Sequence, residues 1–248
     1  MLAVPDRLMF VKMKARRADE HFHFLEREVD GWARKPYTIV ENTDFEKSLH
    51  VFRVEFTPTP EIIPMLFGDF VCCLRSALDQ LAWRLAHLDV NRIFTPKEQR
   101  DISFPIFTDP WTYNKRRGLF PPAVARVLDP LQPDFREDGF RGDILWQLDK
   151  LWNLDKHRST PSTSYDVTFD FSVPNWRQFC RIRTLPDRLE MAFPLSFTWT
   201  GEVDLKPQIS VDILFGEAGN FEIKIARLGE INDFVRNDVI PRFTCFFT

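Results

Sequence analysis

The sequence predicts an α+β protein, because its hydrophobic residues repeat with two different periods in different parts of the chain. Four long segments carry apolar residues every three or four positions, which is the period of an amphipathic helix. Other segments alternate apolar and polar residues, which is the period of a half-buried strand. Helical and strand segments occur in separate groups instead of alternating regularly along the chain, and this order is typical of an α+β fold.

The helical segments are bounded by residues that start or stop helices. Pro36 stops the first segment, Pro58 and Pro60 precede the second, and Asp143 is a plausible N-cap residue for the third. We therefore predict long helices at about residues 6–35, 61–88, 143–158 and 226–243, with short helices at 110–117 and 122–128.

The strand segments lie in two regions of the chain. Residues 37–41 and 50–56 form the first pair, and the turn-forming residues 42–44 separate them. Further alternating runs cover about residues 165–173, 179–184, 189–195 and 209–215. We predict a mainly antiparallel sheet of about five strands, from residues 37–56 and 163–215, which packs with the helices in a single domain of residues 1–248.

The composition limits the classes of partner. Hydrophobic residues at 44% and charged residues at 28% are typical of a folded globular chain. The formal net charge of -3 argues against binding to duplex DNA, and no apolar run approaches the ~20 residues of a membrane span. The four cysteines are not arranged as disulfide pairs, which favours a reducing cytoplasm. They also form no CxxC pair, so we predict no metal site. We predict no cofactor either.

Charged side chains occur on two helical faces that should otherwise pack. The predicted helix 61–88 has a core stripe of Ile63, Phe67, Phe70, Leu74, Leu78, Leu81, Leu85 and Leu88. A second stripe on the same helix reads Gly68, Cys72, Arg75, Asp79, Ala82 and Ala86. Its small residues would let another helix approach closely, and its two charged residues stand four positions apart, where side chains meet.

The predicted helix 143–158 carries a second group of charges. Asp155 continues its core-facing stripe, while Lys156, His157 and Arg158 lie in the last turn, where cations interact favourably with the helix dipole. One interpretation is that Arg75 and Asp79 form a surface pair on the earlier helix. Asp155, with Lys156 or Arg158, would then anchor the C-terminal turn of the later helix.

The other interpretation is that the two helices pack side by side and form one polar pocket. That pocket would contain Arg75, Asp79, Asp155 and His157. Such a cluster suits acid/base chemistry or phosphate binding, because charges in a packed face are costly unless they are paired or used. Of the four side chains, only the imidazole of His157 titrates near neutral pH without a large perturbation.

These motifs resemble those of a set of uncharacterised bacterial proteins of similar length. The matching runs are residues 72–82, Phe104-Pro105-Ile106 and residues 153–158. Where that family has His-Asn, this chain has Cys72 and Cys73. The resemblance covers short motifs in the middle of the chain and implies no function by itself.

The chain is also similar, more distantly, to HEPN domains, which are helical units that often dimerise and in many cases cut RNA without metal. Their signature is an arginine followed by a histidine four to six residues later. Arg75 matches the arginine, and Gln80 stands at the histidine position. The resemblance implies a HEPN-like helical core, a homodimer and RNA as a candidate partner.

Two functions follow as hypotheses. The first is a non-catalytic binding or interaction module, for which the candidate binding residues are Gln80, Asn153, Asp155, Lys156 and Arg158. The second is a metal-independent ribonuclease in which Arg75 stabilises phosphate charge, His157 is the general acid/base and Asp79 orients one of them. Because glutamine cannot exchange a proton at neutral pH, Gln80 favours the first hypothesis.

Overall fold

The computed structural model describes residues 7–133, 142–157, 162–172, 175–185, 187–198 and 207–247. It confirms the α+β class. The helices are α1 (Met9–Ala33), α2 (Ile62–Ala86), α3 (Pro96–Asp101), α4 (Pro110–Arg117), α5 (Pro122–Leu128), α6 (Ile144–His157), α7 (Leu195–Thr198), α8 (Ile225–Phe234) and α9 (Ile240–Arg242). The strands are β1 (Tyr37–Asp44), β2 (Leu49–Phe56), β3 (Ser162–Asp170), β4 (Arg181–Leu185), β5 (Arg188–Pro194), β6 (Gln208–Glu217) and β7 (Phe221–Lys224).

The chain forms two compact units, whereas the sequence predicted a single domain. The first unit comprises the described parts of residues 1–26, 62–163 and 215–248, and the second those of 27–61 and 164–214. Across the described ranges, no helix combines the length and the hydrophobicity that a membrane span requires.

Helix α2 forms the centre of the first unit. Seven residues of its predicted core stripe, from Ile63 to Leu85, are 0–1% exposed, which confirms the orientation given by the sequence period. Phe70 lies against Phe22 of α1, with ring centroids 5.7 Å apart, and Phe67 stacks on Phe215 at 5.1 Å. Helix α6 packs along α2, as required by the interpretation in which the two helices form one polar pocket.

The ends of the helices follow the predicted signals. The carboxylate of Asp143 accepts a hydrogen bond from the backbone N–H of Trp146 at 2.9 Å, as expected of an N-cap residue. At the C-terminal end, α8 continues into α9 through a π-helical segment, Val235–Val239. Proline cannot donate the next helical hydrogen bond, so Pro241 accounts for irregularity at this place.

The second unit contains a four-stranded antiparallel sheet in the order β1-β2-β5-β4. In its register, Val54 lies between Ile39 and Leu189, and Phe52 lies opposite Met191. One face of the sheet builds a core of Phe52, Val54, Phe171, Trp176, Leu189, Met191 and Phe193.

The strands differ from the prediction in three respects. The predicted single sheet is divided into the four-stranded sheet and a three-stranded sheet in the order β3-β6-β7. Residues 42–44, predicted as a turn, belong to β1; the turn follows them, and Ser48 there has φ of 52°. Strand β7 was not predicted, because four alternating residues that run directly into a helix are too few to define a period.

Helices α2 and α6 approach closely at Gly68. A Cβ atom at this position would lie 2.7 Å from Oδ1 of Asp155, which is inside van der Waals contact. The absence of a side chain at Gly68 therefore gives space to the Asp155 carboxylate. The contact marks a place where α6 lies close to α2.

We expect Gly68→Ala to have opposite effects in two backgrounds. With Asp155→Ala, the clash is removed, and alanine should raise the free energy of unfolding by about 0.5–1 kcal/mol, since it favours a helix over glycine. With Asp155 intact, the carboxylate must move, and the same change should lower that free energy by roughly 1 kcal/mol. Urea unfolding of wild type, the two single variants and the double variant measures the coupling between the two positions. Equal effects of Gly68→Ala in both backgrounds would disprove the close contact.

Candidate functional site

Arg75 lies at the centre of a buried charged cluster between α2 and α6. Its side chain is 6% exposed. Its Nη1 is 3.0 Å from Oδ1 of Asp149, and its Nη2 is 3.2 Å from Oδ1 of Asp79. The guanidinium carbon also lies 5.1 Å from the ring centroid of Trp152. Both carboxylates and the aromatic face stabilise a charge that would be costly to bury alone.

The same pair holds the backbone of Phe104. Arg75 Nη2 donates a hydrogen bond to the Phe104 carbonyl at 3.1 Å, and Asp79 accepts one from the Phe104 N–H at 2.9 Å. Both polar groups of this buried residue are therefore satisfied by one arginine–aspartate pair. The contact gives a structural reason for the presence of both the Arg75–Asp79 motif and the Phe104-Pro105-Ile106 motif in this chain.

Gln132 holds the next residues of this segment. Its side chain, which is fully buried, donates to the carbonyl of Pro105 at 3.0 Å and accepts from the N–H of Phe107 at 3.3 Å. A segment without regular secondary structure can be buried because its backbone groups find side-chain partners.

Sequence reasoning missed Asp149, the carboxylate of α6 that contacts Arg75. Burial raises the pKa of Asp149, and the Asp79 charge raises it further, while the Arg75 guanidinium opposes both. Asn153, predicted as a binding residue, donates to the Asp149 carboxylate at 3.0 Å and so orients it. Trp152 and Asn153 lie three and four residues after Asp149, so the spacing places the three side chains on one flank of the helix but does not show that this flank meets Arg75.

Asp155 does not join the Arg75 cluster, which corrects the predicted pocket. It lies against Gly68, seven residues before Arg75 on α2 and therefore about two helical turns, or roughly 10 Å, away along the axis. Burial raises the pKa of Asp155, and the neighbouring charge of Asp69 raises it further. Asp79 and Asp155, which were predicted to share one pocket, are therefore in separate environments.

The other predicted residues of α6 have varied positions. The Nζ of Lys156 lies 4.8 Å from the ring centroid of Trp152, so this ring contacts both Lys156 and Arg75. The backbone of His157 ends α6, but its side chain and all of Arg158 lie outside the described residues. The predicted acid/base role of His157 therefore stays a prediction.

A shallow cleft of about 320 Å³ opens over the charged cluster. Cys72, Ser76, Gln80 and Trp83 of α2 line it, together with Ile102 and Trp152. Cys72 is an exposed free thiol; Cys73 is partly buried, which raises its pKa. Gln80 has a buried Oε1 that has no hydrogen-bond partner in the described part of the chain.

A second cleft, of about 480 Å³, continues along α2 and is called here the distal cleft. Its lining includes Arg7, Phe10, Gln80, Trp83, Arg84, His87 and Phe247. Gln80 and Trp83 line both clefts. Gln80, which the predicted HEPN resemblance matches to histidine, thus lies where the two clefts meet.

Among the residues that the structure describes, the lining of the distal cleft includes two arginines and no carboxylate. The Arg84 guanidinium lies 6.0 Å from the ring centroid of Phe10, and neither Arg84 nor Arg7 forms an ion pair with a described residue. His87 Nδ1 is 2.7 Å from the Trp83 carbonyl, which can only accept, so this nitrogen carries the proton. The His87 ring lies between Trp83 and Phe94, at centroid distances of 4.3 and 4.9 Å.

Comparison of the chain with protein-family models, with curated proteins and with solved structures finds no match. The HEPN-like character of the helical core therefore stays a prediction. Within the described ranges, no three His, Cys, Asp or Glu side chains are grouped so that they could hold a metal ion.

We expect Arg75→Ala to lower the free energy of unfolding by about 3 kcal/mol. This value is at the lower end for a broken buried ion pair, because Asp79 and Asp149 keep some contact with solvent. Urea unfolding measures it, and Arg126→Ala, which removes an exposed guanidinium of α5, is the matched control with an expected change within about 0.5 kcal/mol. Equal effects of the two substitutions would show that Arg75 has no structural role.

Asp149 should make an unusual contribution to the pH dependence of stability. Its folded pKa is raised above 3.8, so its contribution is complete at low pH and is lost as the pH rises through the folded pKa. The pKa of Asp129 is lowered by the Arg117 hydrogen bond, so its contribution is lost in the opposite direction, as the pH falls.

Unfolding at several pH values should therefore separate two variants. The stability of wild type relative to Asp149→Asn should fall as the pH rises from below 3.8 towards neutrality, and relative to Asp129→Asn it should rise. Subtracting the free energy of unfolding of each variant from that of wild type at each pH removes the effects of the substitution that do not depend on pH. Slopes of the same sign would contradict the raised pKa of Asp149.

Proposed function

We propose that this protein is a non-catalytic binding module that takes an anionic ligand in the distal cleft. The observation that carries the proposal is the pair of guanidinium groups, Arg7 and Arg84, that line this cleft without an ion-pair partner among the described residues. Unpaired arginines in a concave site are the usual protein groups for binding phosphate or carboxylate.

The Arg75 cluster supports the proposal because its charged groups are already paired with one another. Arg75 is buried and its charge is compensated by Asp79 and Asp149, while Asp79 also accepts the Phe104 N–H. A group committed to such contacts would have to break them to stabilise a phosphate during cleavage. Gln80, beside the cluster, can form hydrogen bonds but cannot transfer a proton. These features favour a structural role for the cluster over the predicted ribonuclease.

The local charge of the cleft differs in sign from that of the whole chain. The chain has a formal net charge of -3, yet the described lining of the distal cleft contains two arginines and no carboxylate. Charged groups of one sign in a concave surface focus the local potential. A small anion would therefore be attracted to this cleft even though the whole chain is acidic.

We expect anions to raise the melting temperature of the protein in a concentration-dependent way. Inorganic phosphate, pyrophosphate and citrate are suitable probes. Each kcal/mol by which the bound anion raises the free energy of unfolding should raise the melting temperature by about 2–4 °C. Arg84→Glu, which places a carboxylate in the cleft, should abolish the shift, whereas Arg126→Glu on α5 should leave it unchanged.

Two results would contradict the proposal. One is an anion response that is equal in wild type and Arg84→Glu, because the anion would then bind elsewhere. The other is cleavage of varied RNA substrates in the presence of a chelator, if folded Arg75→Ala protein lacks that activity. The second result would support the ribonuclease hypothesis.

A further inference from the structure

Aromatic rings line the distal cleft beside its cations. Phe10 is 54% exposed and Trp83 is 43% exposed, and Phe247 also faces this cleft. Large aromatic side chains are commonly exposed together where a ligand or partner covers them. A small inorganic anion would leave these rings uncovered, so the proposed anion site does not by itself account for them.

We infer that the distal cleft binds a phosphorylated nucleoside, with the phosphate at Arg7 and Arg84 and the base on Trp83. This inference rests on the proposed function and specifies its ligand. The volume of about 480 Å³ falls within the usual range of small-molecule sites. Arginine binds phosphate oxygens through two parallel N–H groups, and an aromatic ring provides the stacking surface for a base.

Gln80 adds a group that could recognise the edge of the base. Its amide has both donors and an acceptor, as the edges of nucleobases do. The acceptor Oε1 is without a hydrogen-bond partner among the described residues, although most buried polar atoms have one. Because this oxygen is buried, the Gln80 side chain would have to turn towards the cleft before it could accept a hydrogen bond from the exocyclic amino group of adenine. Gln80 also lies on the same helix as Trp83 and Arg84, so the rigid backbone of α2 sets their spacing.

The shared chemistry of a base and a phosphate occurs in free mononucleotides and in single-stranded nucleic acid. The experiment therefore uses four probes with the full chain: AMP, adenosine, inorganic phosphate and a short single-stranded oligoadenylate. Isothermal titration calorimetry measures affinity. We expect AMP to bind at least about tenfold more tightly than either adenosine or phosphate, because each of these retains only one of the two contacts.

Variants separate the two contacts. Trp83→Ala should weaken AMP between about fivefold and a hundredfold while leaving phosphate unchanged, and Trp83→Phe should restore part of the loss. Arg84→Ala should weaken both AMP and phosphate. Trp111→Ala and Arg126→Ala are controls, since they remove an exposed tryptophan of α4 and an exposed arginine of α5 outside the cleft. Trp83 is partly exposed, so its variants should fold, and circular dichroism verifies this.

The outcomes distinguish this inference from the proposed function. Equal affinities for AMP and phosphate, both unaffected by Trp83→Ala, would overturn the nucleotide inference and leave the anion site intact. Absence of binding by every probe, together with no anion-induced stabilisation, would overturn both. Tighter binding of oligoadenylate with the same dependence on Trp83 would support the inference and identify nucleic acid as the source. A wild-type dimer that Trp83→Ala dissociates would overturn it, because the rings would then be covered by a second copy.

Discussion

The burial of one guanidinium group constrains much of the first unit. A charge as buried as that of Arg75 must be compensated, or its desolvation would exceed what packing can offset. Compensation requires Asp149 of α6 on one side and Asp79 of α2 on the other. The Nη2 of Arg75 also donates a hydrogen bond to the Phe104 carbonyl. Two helices and one irregular segment are thereby held in a single relative arrangement, which nonpolar packing alone would specify less strictly.

This arrangement divides the arginines of α2 into two kinds. Arg75 is neutralised by its neighbours and contributes to the structure, whereas Arg84, nine residues later, lacks an ion-pair partner among the described residues. The difference depends on what packs against each turn of the helix. The Arg75 turn meets α6 and the Phe104 segment, while the Arg84 turn borders the distal cleft. A rigid helix thus links a structural cluster to the surface proposed for the ligand.

The period of the sequence predicts the helices and their buried faces, because both depend on residues close together in the chain. Spacing also predicts the Arg75–Asp79 pair. It could not select Asp149 over Asp155, since that choice depends on how far α6 is displaced along α2. The displacement depends on contacts between segments distant in the chain, such as those of Asp155 with Gly68 and of Asp149 with Arg75. The distal cleft was missed for the same reason, because its lining combines residues from α1, α2 and the C-terminal segment.

The net charge of a chain says little about a site formed by a few residues. An acidic chain cannot offer the continuous positive surface that a duplex requires, because that interaction depends on many phosphates at once. A mononucleotide has a single phosphate, and two guanidinium groups without an ion-pair partner among the described residues would suffice to compensate it. Specificity for the base would then come from stacking on the Trp83 ring and from hydrogen bonds with the Gln80 amide. Neither interaction depends on the net charge of the chain. At the position that the predicted HEPN resemblance matches to histidine, this chain has glutamine, which can form hydrogen bonds but cannot transfer a proton at neutral pH, and this suits the proposed site that holds its ligand unchanged.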